Sequence, residues 1–338
     1  MAKALQRSNK LSGDMVIIQY AKRCALSLVF FAGILGSHAW ADDIQDTILW
    51  SEGREAFALI EKYSLNLQKI DFKLTEEEVL KAHFQQGIPS EISRAQYLEV
   101  LSDFLIRIDS KGKVIDLKNP DPADIKSKAE EEKQEISYFF YEESILHIKF
   151  PKKMKNNHMP DSIIQMVNAY CPEKLIIDLR DNSGGYVDIT HQILSLFLHE
   201  NKKLFILKFN DEDKFYSSKT SSNQYWNLPC IILINENSKS CAELFALVMK
   251  MNKRAIVIGQ KSFGKAIGGS PIIALRDRLQ IKIKLFTLQV YIPKGNSLDE
   301  LITYQDEGIE PDIEVINDTG LDKQLVAAIE YLQSSQSK

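Results

Sequence analysis

The chain has 338 residues, 44% of them hydrophobic and 26% charged, with 42 basic and 46 acidic side chains. That is ordinary globular composition, enough for one large domain or two modest ones. No basic face points to nucleic acid, and the small cluster Lys152-Lys153-Lys155 reads as a solvated loop.

Residues 1–41 carry five basic groups (Lys3, Arg7, Lys10, Lys22, Arg23) and one acid, Asp14. An apolar run of 13 residues at 24–36 leads to Ala39-Trp40-Ala41, just before Asp42-Asp43. A basic start, a short apolar run and a small-x-small site together predict a secretory signal peptide cleaved after Ala41. The run falls short of the roughly 20 residues that cross a bilayer. No stable membrane span is therefore expected after cleavage, and the product is exported, periplasmic or secreted. Met15 is an alternative start. Cys24 leaves with the leader; Cys171, Cys230 and Cys241 are too few for a disulfide scaffold, although one bond is compatible with an oxidising compartment.

Residues 42–107 read as a small helical region, with apolar residues at helical spacing in Ile48, Phe57, Ile60 and Tyr63. Thr75 before Glu76-Glu77-Glu78 predicts one capping box, with Gly87 as a helix-terminating residue before Pro89. Ser93 and Gln96 predict a second, opening a helix through Leu98, Leu101, Phe104 and Leu105. Residues 108–135 are dense in charge and hold Pro120 and Pro122, as a linker or exposed excursion would. There is no internal repeat.

From 136 onward strand-like and helix-like runs alternate. Strands are expected at 145–150, 175–179, 204–209, 230–235 and 255–259, and a long amphipathic strand or hairpin at 279–291. Helices are expected at 161–169, 188–198, 242–251 and 321–332, the last with Leu325, Ala328, Ile329 and Leu332 on one face. Alternation of this kind predicts an α/β core with a mixed, largely parallel sheet over 136–316, closed by a C-terminal helix within 317–338.

Several segments offer chemistry. Residues 259–265, Gly-Gln-Lys-Ser-Phe-Gly-Lys, come within one residue of a phosphate-binding P-loop after a strand. Ala266 stands where such a loop needs Ser or Thr for magnesium, and Gly268-Gly269-Ser270-Pro271 opposes the helix it requires. The histidines beyond the leader, His83, His147, His158, His191 and His199, have no metal-ligand spacing, and no motif calls for a cofactor. His191, on the helix after a glycine loop, leaves a serine–histidine pair open. In that loop, Asp181-Asn182-Ser183-Gly184-Gly185, glycine amides at a strand-to-helix junction suit an oxyanion hole, and plain turn chemistry also explains it.

Ser240 and Lys265 stand 25 residues apart, each beyond the exit of a strand. Serine needs a base to take its proton. A lysine serves as one only when apolar surroundings bring its pKa down from about 10.4. Equally, Ser240 is placed to be the N-cap of the helix at 242–251, and Lys265 a loop charge. Spacing divides the two readings evenly.

Five segments in order resemble the C-terminal processing (tail-specific) serine proteases: 175–185, LIIDLRDNSGG, like their DLRxNPGG; 235–243, NENSKSCAE, like NxxSASASE; and 253–265, KRAIVIGQKSFGK, like RAxVxGxxTFGK. The others are 291–295, YIPKG, like YxxPxG, and 308–315, GIEPDIEV, like GIxPDxxV. The resemblance covers roughly 136–332 and implies a crotonase/Clp-protease-like α/β core. It implies Ser240 as nucleophile, Lys265 as base, and the amides of Gly185 and Cys241 as oxyanion donors, acting on a protein or peptide substrate through an acyl-enzyme. It also exposes departures. Gly269 stands where the family has a glutamine that orients the lysine, Ser183 replaces a proline, and Cys241 replaces an alanine. The 28 residues of 108–135 are too few for the PDZ domain that many members carry. A catalytically decayed member that binds peptides or a small ligand is the alternative reading, and a crotonase-like acyl-CoA enzyme a more distant one. Oligomeric state is left open.

Overall fold

The structure, a computed structural model, describes residues 47–65, 70–109, 113–116, 118, 135–141, 144–219, 225, 227–269, 273–274, 280–295, 297–317 and 320–334. The expected signal peptide and most of the charged segment 108–135 lie outside the described residues. Among the described residues no helix is long and apolar enough to cross a membrane.

The described chain runs β1 (Thr47–Leu49), α1 (Trp50–Gly53), α2 (Glu55–Tyr63), α3 (Phe72–His83), β2 (Glu91–Ser93), α4 (Arg94–Ile108), β3 (Lys113–Asp116), β4 (Ser137–Tyr141) and β5 (Ile145–Lys149). It continues through α5 (Met159–Tyr170), β6 (Lys174–Asp178), α6 (Val187–Phe197), β7 (Lys203–Lys208), β8 (Asp213–Ser217), β9 (Cys230–Ile234), α7 (Cys241–Met251) and β10 (Ile256–Gly259). It closes with β11 (Ile267–Gly268), β12 (Ile273–Ala274), β13 (Ile281–Lys284), β14 (Leu288–Pro293), β15 (Leu301–Ile302), β16 (Ile313–Glu314) and α8 (Lys323–Ser334).

The centre is a six-stranded sheet in the order β16-β10-β9-β6-β5-β4, parallel except for the edge strand β4. Both faces are covered, so strands β6 and β9 are buried at every position; β9 reads as an unbroken apolar run, and β6 holds Leu175-Ile176-Ile177 between Lys174 and Asp178. Successive side chains point to opposite faces. Ile145, Ile176, Ile231, Leu233 and Ile258 thus meet Ala328 and Leu332 of α8, with Leu325 and Ile329 partly packed beside them. Leu146, Ile148, Leu175, Ile177, Ile232 and Ile234 instead join the large core formed with α5, α6 and α7. The expected α/β class with a mixed, largely parallel sheet is what the chain forms.

Four local readings are corrected. Helix α3 opens at Asp71, whose Oδ1 accepts from Leu74 N–H at 3.1 Å; Thr75 sits inside the first turn and donates its hydroxyl to the Asp71 carbonyl at 2.8 Å. Gly87 lies beyond the α3 C-cap, Phe84, rather than ending the helix. The stretch 279–291 is no hairpin: β13 pairs with β3 and β12, while β14 pairs with β7 and β11 in a second sheet. Period-2 alternation marks both strands but says nothing about which partner each will find. By contrast, Ser93 caps α4 as expected, accepting from Gln96 N–H at 3.2 Å. The helical region also holds a short antiparallel pair, β1 with β2, so Ile48 is a strand residue.

One buried polar network ties α8 to the sheet. Asp178, fully buried, accepts from His147 Nε2 at 3.2 Å and from Arg180 Nε and Nη2 at 2.9 and 2.7 Å. Arg180 Nη1 reaches on to Asp322 at 2.6 Å, at the start of α8. Burial alone would raise the Asp178 carboxyl, but the His147 and Arg180 hydrogen bonds and the Arg180 charge outweigh it and hold the group well below the usual carboxylate range. A depressed folded pKa contributes stability above the unfolded value of about 3.9, and that stability is lost as the pH falls below it. Asp178→Ala leaves a buried guanidinium half-paired and is expected to cost about 3–5 kcal/mol in urea unfolding at neutral pH. A loss under about 1 kcal/mol would show the network to be dispensable.

Candidate active site

The loops after β6 and β9 meet at the carboxyl ends of adjacent parallel strands, where open α/β sheets place ligands. Their union is specific. Lys239 N–H donates to Asn182 O at 2.9 Å, Ser238 Oγ to Leu179 O at 2.9 Å, and the side-chain amides of Asn235 and Asn237 each to Asp181 Oδ1 at 3.0 Å. The β9 loop ends at Ser240, whose carbonyl accepts from Leu244 N–H at 2.9 Å, so Ser240 is the N-cap of α7. Its backbone is unlike that of an ordinary N-cap, which lies in the β region. With φ 55° and ψ −117° it occupies a conformation that side chains rarely take, typically at a cost of about 1–3 kcal/mol. Such a sharp, strained strand-to-helix turn is how α/β hydrolases lift a nucleophile clear of the sheet.

Gly184 explains how the two loops come so close. Its φ is +94°, and a Cβ there would stand 2.8 Å from Ser240 Cβ and 2.9 Å from Cys241 N. A Cβ on Gly185 would stand 2.1 Å from the Met154 carbonyl oxygen. Only glycine fits either place. The N–H of Cys241, the first residue of α7, donates to no acceptor among the described residues. Cys241 Sγ donates to Gly185 O at 3.3 Å and so links the two residues; burial pushes that thiol up. Ser183 donates both its N–H and its Oγ to Lys152 O, at 2.8 and 3.0 Å. A proline there has no N–H to give. Asn182, fully buried, braces the loop from inside: its Oδ1 accepts from Gly184 N–H at 2.8 Å and its Nδ2 donates to Pro151 O.

The second half of the site is the loop after β10. Glu243, in the first turn of α7 and fully buried, joins it to Ser240. Glu243 Oε2 accepts from Ser240 N–H at 2.7 Å and from Lys265 N–H at 2.9 Å. Oε1 accepts from Ser262 Oγ and Gly264 N–H, both at 2.6 Å. One carboxylate oxygen therefore separates the backbones of Ser240 and Lys265. The segment 304–309 completes the loop's support, with Gln305 Oε1 accepting from Ala266 N–H at 2.8 Å and Ser262 Oγ from Ile309 N–H at 2.8 Å. Lys265 is half-buried, with Nζ 5.2 Å from the Phe286 ring centroid, and its charge acts on the Cys241 thiol.

Other readings of these segments fall away. The amides of Gly264 and Lys265 are taken by Glu243, those of Phe263 and Ser262 by Ser238 O and Ile309 O, and the strand β11 follows instead of a helix. No N–H cradle for phosphate remains there. His191 is bonded through Nε2 to Ser217 O at 2.6 Å and lies edge-on to Phe205 and Tyr216, so that ring nitrogen is already engaged. Arg254 donates to three carbonyls, of Phe197, Tyr225 and Leu228, and is structural. Glu243 and Asn182 were visible in the sequence only as motif letters. The signal for Glu243 was the Ser-x-x-Glu spacing of a capping box at a helix start.

The model of peptidase family S41 matches residues 145–315. The chain belongs to peptidase family S41. Among curated proteins this S41 chain is 28% identical over 143 residues to a "Probable CtpA-like serine protease" of Staphylococcus haemolyticus, covering 42% of this chain and 27% of that protein. It is 32% identical over 96 residues to the protein of the same description in Staphylococcus aureus, covering 28% of this chain and 19% of that one. These matches span about a quarter or less of the relatives' length. Among solved structures, a lipoprotein from Streptococcus agalactiae superposes with a TM-score of 0.63 at 17% identity, covering 89% of this chain and all of that one. The photosystem II D1 C-terminal processing protease superposes with a TM-score of 0.57 at 11% identity, covering 78% and 92%. At such identities these two show a shared fold.

Proposed function

We propose that this S41 chain is an exported serine endopeptidase that processes proteins or peptides through an acyl-enzyme, with Ser240 as nucleophile and Lys265 as base. The observation that carries the reading is the Glu243 carboxylate, which binds the backbone of both residues through one oxygen while Gly184 presses against the Ser240 turn. In its neutral form the Lys265 amine takes the proton of Ser240 Oγ as that oxygen attacks the substrate carbonyl carbon. The carbonyl oxygen becomes an oxyanion between the N–H groups of Gly185 and Cys241. The second of these opens α7, where the helix end adds its own positive potential. Collapse breaks the peptide C–N bond, and the Lys265 ammonium returns its proton to the leaving amine. Water then attacks the ester, Lys265 takes its proton, and Ser240 regains it as the acid product leaves. The basic, apolar leader with Ala39-Trp40-Ala41 supports export.

A fluorophosphonate probe tests this directly. The purified protein is expected to gain the phosphonyl mass on the peptide containing Ser240, faster as the pH rises through the titration of its base. No labelling at Ser240, even at alkaline pH, would instead support a decayed member that binds peptides. Gly269, in place of a lysine-orienting side chain, is what favours that second reading.

A further inference from the structure

Position 269 has no room for a side chain in this backbone. A Cβ there would stand 2.6 Å from the Leu285 carbonyl oxygen, a backbone atom that does not yield cheaply. The Lys265 ammonium has the ring of Phe286 beside it, its centroid 5.2 Å from Nζ. That lies within the roughly 6 Å over which an aromatic face attracts a cation. Phe286 is itself clamped. Its N–H donates to Asp109 Oδ2 at 2.8 Å, its carbonyl accepts from Leu65 N–H at 2.7 Å, and the next residue, Thr287, donates its N–H to Gly268 O at 2.9 Å. On either side, Leu285 is buried in the core of the helical region and Leu288 in the core of the large sheet. Leu65 follows α2 and Asp109 is the C-cap residue of α4, so the two clamps come from the N-terminal helical region.

We propose that Phe286 is the positioning residue for the Lys265 amine, and that the helical region 47–109 acts on the site by clamping the Phe286 backbone at Leu65 and Asp109. The catalytic meaning of this rests on the Ser240/Lys265 reading. A lysine stem has four flexible carbons, and a base must be held within hydrogen-bond reach of the proton it takes. The ring limits where the amine sits and shields one side of it from water. Its negative face also stabilises the ammonium formed when the serine proton arrives, an interaction stronger after proton transfer than before it. The ionisable groups around this site include the Glu243 carboxylate under the Lys265 backbone, the buried Cys241 thiol and the Tyr304 hydroxyl, which donates to Ser240 O at 3.2 Å.

The test reads Lys265 itself, whether or not the protein is active. Acylation of the Lys265 amine by an amine-specific reagent is followed across a pH series by peptide mass spectrometry, with probe labelling of Ser240 measured in parallel. Phe286→Ala is expected to make the amine about tenfold more reactive and to displace its pH profile, while Ser240 labelling drops about tenfold. Phe286→Trp, which keeps an aromatic face, retains the wild-type profile. Asp109→Ala, which releases the Phe286 N–H, moves Lys265 in the same direction as Phe286→Ala; Asp109→Asn keeps an acceptor oxygen and does not. Identical Lys265 profiles in the unsubstituted protein, Phe286→Ala and Asp109→Ala, at unchanged melting temperatures, overturn the proposal. If Phe286→Ala does not fold, the Asp109 pair decides the matter alone. Failure of the unsubstituted protein to label at Ser240 sinks the peptidase reading instead, and the lysine profiles still decide this one.

Discussion

Lys265→Ala is expected to slow acylation of Ser240 by about a thousandfold or more, the effect of removing a positioned base from a serine that cannot ionise on its own. The measurement is the rate of fluorophosphonate labelling, together with cleavage of an unstructured protein substrate. Lys265→Arg separates the role of base from that of charge. A guanidinium with a pKa above about 12 has no proton-accepting form at neutral pH, so the arginine variant should be as inactive as the alanine one. If Lys265→Arg kept more than a tenth of the activity, the group would be supplying charge alone and the proposed proton transfer would be wrong. Unchanged melting temperatures in both variants keep a folding defect from imitating the result.

The second large effect is expected at Glu243. Truncation to alanine strands four donors in a buried place: the N–H groups of Ser240, Gly264 and Lys265 and the Ser262 hydroxyl. A cost of about 3–5 kcal/mol in unfolding free energy follows, because a buried, hydrogen-bonded carboxylate is lost without replacement. Activity should fall by about a hundredfold or more, since the turn carrying Ser240 and the loop carrying Lys265 lose their common anchor. Glu243→Gln is the informative partner. Its amide preserves the shape but turns an NH2 toward one of the two donor pairs. The milder orientation faces Ser262 and Gly264, and there Ser262 Oγ already accepts from Ile309 N–H. The glutamine variant should therefore fold better than the alanine one and still be impaired. If Glu243→Ala unfolded at the wild-type denaturant concentration and kept its activity, Glu243 would be a bystander.

Much of the central sheet could be read from the chain. The strands expected at 175–179 and 230–235 hold the apolar runs 175–177 and 230–234, as strands covered on both faces do, and the structure places buried strands at Lys174–Asp178 and Cys230–Ile234. The region at 279–291 misled, because alternation identifies a strand without naming its partner, and here two strands join two different sheets. At the site, Ser240 showed a similar limit. Its position before a helix suits an N-cap and a nucleophile alike, and it is in fact the N-cap, held in a backbone conformation that ordinary caps do not adopt. Backbone angles of that kind depend on what braces the turn, and the brace comes from Asn182, Asp181 and Leu179 in another loop.

The amino-acid sequence alone carried the α/β class, the order of the main strands and helices, and the motif positions of Ser240, Lys265 and the Gly184-Gly185 loop. Each depends on residue type and local period, which are written along the chain. Tertiary structure alone decided what stands against what. It put Gly184 against the Ser240 turn, made Glu243 the shared anchor of two loops, and closed position 269 with the Leu285 carbonyl. It also set Phe286, clamped by residues of the helical region, beside Lys265. These contacts join residues as far apart in the chain as Leu65 and Phe286, and such a separation leaves no periodic trace in a sequence.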